Sequence, residues 1–117
     1  DLEYGMARLV FAGGELDATG VEALAGERVR VRIRARDVAL ATAPPQRVSI
    51  RNVLAGRVVE IGPRTEPEVD VRLLVGEVML LARVTRLSLD ELDLEEGKPV
   101  FALVKSVAID RRSVGYA

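Results

Sequence analysis

Cysteine, histidine and tryptophan are all missing from this 117-residue chain. Without thiols there is no disulfide, no thiolate nucleophile and no cysteine-held metal, and redox chemistry says nothing about compartment. Without imidazole there is no Ser-His-Asp arrangement and no histidine-ligated metal. Carboxylates alone remain as ligands for a hard cation. The acidic run Asp90-Glu91-Asp93-Glu95-Glu96 lacks the alternating spacing and central glycine of a calcium loop and reads as a solvated helix face, so no metal site is expected. The aromatics are only Tyr4, Phe11, Phe101 and Tyr116, too few to stack a row of bases. The net charge of −1 gives no general attraction to phosphate backbones, and no nucleic-acid partner is expected. No run approaches the ~18 apolar residues of a membrane helix, and no signal-peptide pattern occurs. No Gly-x-x-x-x-Gly-Lys-Ser/Thr loop is present to cradle nucleotide phosphates, so catalysis is not expected. The chain starts at Asp1, without a methionine and directly in strand-like sequence, which reads as a piece of a longer protein.

What is present is a globular composition, 49% apolar and 30% charged, enough for one domain or two very small ones sharing a core. The periodicity is that of strands. Residues 6–11 form a short apolar run ending at the turn signal Gly13-Gly14. From Arg28 to Arg34 the alternation is strict, with Val29, Val31 and Ile33 on one face and arginines on the other. That is a half-buried strand with a solvent-facing arginine ladder. Residues 38–41, 53–61, 69–75, 77–84 and 100–109 complete the set. Pro44-Pro45 closes the 38–41 strand, and Val75-Gly76-Glu77 suits a tight hairpin. One helix is expected, opened by a capping box over Ser88-Leu89-Asp90-Glu91, ended by Gly97 and blocked by Pro99. The fold class is therefore all-β with one short helix, as small Greek-key barrels of the OB type. Residues 1–48 form a barrel-like N-terminal segment that the C-terminal tail is able to complete, and residues 49–117 form the second unit.

Two donor clusters stand out, Ser49-Ile50-Arg51-Asn52 and Lys105-Ser106, neither containing a carboxylate. Ser49 and Ser106 offer hydroxyls, Arg51 and Lys105 offer charge, and the backbone N–H groups of residues 51–53 offer fixed dipoles. A charge-assisted hydrogen bond contributes ~1.5–3 kcal/mol against ~1 for a neutral one, so such a cradle suits a small, fully deprotonated anion. A cradle without acceptors selects against monohydrogen phosphate, whose proton wants a carboxylate. The bland readings are an exposed strand end for Lys105-Ser106, a plain strand position for Thr85, and a structural Asn52 bonding backbone in a turn.

The run Ser-Ile-Arg-Asn-Val-Leu-Ala-Gly-Arg-Val-Val from Ser49, answered by Val-Lys-Ser-Val from Val104, resembles the molybdate/tungstate-binding Mop domain. That domain, also called TOBE-like, occurs in molbindins and in the C-terminal part of molybdate-transporter ATPase subunits. The resemblance covers residues 49 to about 110. The preceding Arg30-Val31-Arg32-Ile33-Arg34-Ala35-Arg36-Asp37-Val38-Ala39-Leu40 resembles the stretch that follows the nucleotide-binding domain in importer ATPases. Together these imply a cytoplasmic regulatory domain of an ABC importer ATPase subunit, with molybdate or tungstate as ligand and no cofactor. They also imply that the anion is sensed at the interface of a homodimer. The implied partners are the parent chain's ATPase domain and the transporter's membrane subunits, which would hold it peripheral to the inner membrane. The residues that match the family's oxyanion-binding positions are Ser49, Arg51, Asn52, Thr85, Lys105 and Ser106. Ile50 departs from the alanine of molbindins. A spacer or dimerisation module with a degenerate site, and molybdate storage, are the competing uses of the same fold.

Overall fold

The computed structural model describes residues 6–12, 14–19, 26 and 28–110. Gly13 of the expected turn, Tyr4, Tyr116 and the tail beyond Asp110 lie outside them. Nine strands and one α-helix are described: β1 Met6–Phe11, β2 Gly14–Thr19, β3 Arg30–Arg32, β4 Val38–Ala41, β5 Asn52–Ile61, β6 Glu68–Val75, β7 Val78–Thr85, α1 Arg86–Glu91, β8 Pro99–Val104 and β9 Ala108–Asp110. This is the expected fold class, mostly β with one short helix, and every pairing is antiparallel. The main sheet runs β4-β8-β5-β6-β7 and curls until β4 and β7 lie side by side at a seam, where no ladder joins them among the described residues.

The curl follows from local chemistry. Alternation in β6 buries Val69, Val71, Leu73 and Val75 and turns Glu68, Asp70 and Arg72 outward. Gly56 of β5 lies so close to β6 that a Cβ there would sit 2.6 Å from the Leu74 carbonyl oxygen, so no other residue lets the two strands approach this way. A bulge between Val58 and Glu60 bends β5 further. Gly76, at φ +61°, opens the two-residue turn that sets the β6–β7 register from Val75↔Val78 to Glu68↔Thr85.

The helix differs from the sequence expectation at both ends. The helix starts earlier than Ser88: its cap is Thr85, whose Oγ1 accepts from the Ser88 N–H at 3.0 Å. Ser88 lies inside the first turn, and the capping box assigned to it does not form. Gly97 does not end the helix either. Asp93, at φ +51°, takes the left-handed position instead, with Leu94 N–H bonded to Leu89 C=O and Asp93 N–H to Asp90 C=O. Leu89 and Leu94, the hydrophobic pair of that motif, are both buried and plug the end of the curled sheet. The Lys98 ammonium satisfies the free carbonyls of Leu92 and Asp93.

The single strand expected over 100–109 is two strands. At Lys105 the chain leaves the β4–β8 ladder, its N–H bonded to Asp37 C=O at 2.8 Å, and β9 pairs with β3 instead. β4, early in the chain, lies in the same sheet as β5–β8. The two expected segments therefore exchange strands. The alternation at 28–34 holds in burial, with the arginines exposed, although only Arg30–Arg32 pair as strand. β2 has no counterpart in the sequence reading; Leu16 and Ala18 bury against the core from it.

Candidate functional site

The break between β8 and β9 and the entry to β5 come together. Ser49, Ile50, Arg51, Asn52, Val104, Lys105, Ser106 and Val107 line one cleft of about 400 Å³, whose far wall is Met6, Asp17 and Ala18 of the β1–β2 hairpin. Two clusters fifty residues apart in sequence thus face each other because Asn52 pairs with Val104 in the β5–β8 ladder. Each cluster extends just beyond its own end of that ladder, so its polar side chains are free of strand packing. Ser49, Arg51, Lys105 and Ser106 are all exposed.

Asn52 differs. It is 8% exposed, and its side-chain amide is spent on the protein itself: Oδ1 accepts from Asp17 N–H at 2.7 Å and Nδ2 donates to Asp17 C=O at 2.9 Å. One donor and one acceptor meet the two backbone groups of a single residue, as a neighbouring strand would, and the match needs an amide. The expected structural role is present, but its partner is a strand 35 residues upstream rather than a local turn. Asn52 therefore builds the cleft wall, with its amide oxygen and one amide N–H engaged by Asp17.

Thr85 is placed elsewhere. With Ser88, Arg36, Arg83 and Leu92 it lines a neighbouring cleft of about 290 Å³, which shares only Ile50 and Lys105 with the first. Its hydroxyl caps α1 and donates to Ser88 Oγ at 2.9 Å. In that second cleft Arg83 is committed to Asp70, at 2.8 Å. This hydrogen bond and the carboxylate's charge hold the guanidinium still further above its ordinary value.

The reading of a cradle without acceptors is corrected by Asp17. Its carboxylate, 21% exposed, enters the cleft from the hairpin, 4.0 Å from Arg51 Nη2 and 3.6 Å from Arg8 Nε. Nothing in local sequence signals it, because the hairpin's approach to β5 is a long-range contact. The cleft walls hold two cationic side chains, two hydroxyls and one carboxylate. Among the described residues no cluster of acidic groups is arranged to hold a metal ion, and the acidic run of 90–96 is exposed.

A curled antiparallel sheet with a polar cleft at its strand ends defines a small OB-type binding module. The TOBE domain family model matches residues 48–110, and the chain belongs to that family. Among curated relatives, the molybdenum import ATP-binding protein ModC of Hahella chejuensis is 46% identical over 110 residues, 93% of this chain and 31% of that protein. The ModC of Paramagnetospirillum magneticum is 44% identical over 114 residues, 97% of this chain and 31% of that protein. The chain thus spans about a third of the length of these relatives. Among solved structures, the cytoplasmic molybdate-binding protein ModG, with molybdate bound, superposes with a TM-score of 0.81 at 27% identity, over 89% of this chain and 82% of that one.

Proposed function

We propose that this chain is the oxyanion-binding regulatory unit of a molybdate importer's ATP-binding subunit, and that molybdate or tungstate binds in the cleft between residues 49–52 and 104–107. The convergence of Ser49, Arg51, Lys105 and Ser106 on one cleft carries the reading, since a tetrahedral dianion requires several donors from different directions. The likeness to ModC proteins and to ModG supports the ligand class. Asn52 contributes by fixing the hairpin wall. Isothermal titration of the chain with molybdate tests this directly. Saturable binding that weakens about ten- to a hundredfold in Lys105→Ala supports the site, whereas binding unchanged in that variant places the anion elsewhere.

The exposure of all four donors favours one elaboration. A dianion bound in an open cleft keeps much of its water, and charge-assisted bonds gain strength when water is excluded. A second copy of the chain covering the mouth would supply that exclusion, and its Thr85 would add a donor on turning its hydroxyl proton away from Ser88 Oγ. Occupancy then favours the paired arrangement, which is the means by which cytoplasmic molybdate would report to the importer at the inner membrane. The partners in this reading are the parent's ATPase domain, the transporter's membrane subunits and the second copy. Among the described residues no helix is long and apolar enough to cross a membrane.

A further inference from the structure

Asp17 is unexpected in a cleft suited to anions, and its setting gives it a role. The residue is anchored: its N–H and C=O are both held by the Asn52 amide, at 2.7 and 2.9 Å. Its two carboxylate oxygens face two different guanidiniums, Oδ1 toward Arg8 Nε at 3.6 Å and Oδ2 toward Arg51 Nη2 at 4.0 Å. Arg51 is not anchored. Its side chain is 71% exposed, and 4.0 Å is beyond hydrogen-bond range, so its donors are attracted without being committed. The cleft therefore pairs a fixed anion with a movable cation.

We propose that Asp17 is the resident counter-ion of the cleft: it holds Arg51 inward while the site is empty and yields it to an arriving oxyanion dianion. This rests on the oxyanion reading of the same cleft. In the empty state Asp17 offsets the repulsion between the Arg51 and Lys105 charges that line one cavity. In the bound state it faces the dianion as a like charge, which weakens affinity and speeds release. A sensor has to release its ligand when the concentration falls, and Asp17 sets that threshold. The same repulsion scales with ligand charge, so Asp17 is also a determinant of charge selectivity between tetrahedral anions of similar size.

The test is titration of the full 117-residue chain as wild type, Asp17→Asn, Arg51→Ala and the double variant, with molybdate and with the tetrahedral monoanion perrhenate. Asp17→Asn keeps the backbone clamp and the side-chain shape, and Asp17→Ser serves as a second variant should the first fold poorly. Expected is a three- to tenfold tighter molybdate complex on removing the charge, and a smaller gain for perrhenate. In the Arg51→Ala background the gain should shrink, because the cation for which Asp17 and the anion compete is gone and only their direct repulsion remains. Unchanged or weaker molybdate binding in both Asp17 variants, with wild-type binding intact, overturns the counter-ion role and leaves the site reading standing. A gain of equal size with and without Arg51 overturns the exchange. Absence of molybdate binding in all four proteins overturns the site reading and this inference with it.

Discussion

Replacing Asn52 by alanine tests the join between hairpin and sheet on which the cleft depends. The substitution removes two hydrogen bonds, of 2.7 and 2.9 Å, at an 8% exposed position. Each contributes about 1 kcal/mol net, and leaving the Asp17 peptide groups partly buried without these partners adds about 1 kcal/mol more. The expected loss is therefore about 3 kcal/mol, roughly 10 °C in melting temperature for a domain of this size. Urea unfolding monitored by circular dichroism gives the difference, provided the slope of the transition is unchanged. Asn52→Asp is the informative companion. Its carboxylate can accept from Asp17 N–H, but its second oxygen then faces the Asp17 carbonyl with no proton between them. At neutral pH it should be destabilised at least as much as the alanine variant, despite being nearly isosteric. Amide exchange at Asp17 should quicken in both. A stability change within about 0.5 kcal/mol for Asn52→Ala, with Asp17 still protected, would refute the claim that this amide ties β2 to β5.

Lys105→Ala should weaken molybdate binding by ~1.5–3 kcal/mol, ten- to a hundredfold by titration, because one charge-assisted bond is lost, while the unliganded melting temperature barely moves. Gly56→Ala should cost about 1–3 kcal/mol or more in thermal unfolding, since the new methyl meets the Leu74 carbonyl at 2.6 Å and backbone must shift to admit it. Thr85→Ala should cost about 1 kcal/mol through loss of the α1 cap. If a second copy's Thr85 completes the site, the same variant should also weaken molybdate binding; unaltered affinity would count against the paired arrangement. Sedimentation at several protein concentrations should show molybdate strengthening self-association by the factor by which association strengthens binding, and a dimerisation constant indifferent to ligand would place the whole site in one chain.

The strand content, the Gly76 hairpin, the exposed arginine ladder and the pair of donor clusters were all legible in the sequence. Each is written locally: period-two alternation over 28–34 and 69–75, a glycine where the turn needs positive φ, and a family motif at 49–52. Helix limits were less so, because Thr85-x-x-Ser88 and Ser88-x-x-Glu91 are both plausible caps and only the end of β7, paired through Thr85 with Glu68, selects the first. The break after Val104 was invisible as well. Residues 100–109 are apolar apart from Lys105-Ser106, with no glycine or proline to mark a break, and it is the pairing of β9 with β3 that turns the chain at Lys105. Above all, Asp17 belongs to the cleft solely through tertiary structure. Its neighbours in sequence describe an ordinary hairpin strand, and what brings its carboxylate to Arg51 is an amide 35 residues away bonding to its backbone. Local pattern determines which residues can donate; long-range pairing decides which charges they must share the cleft with.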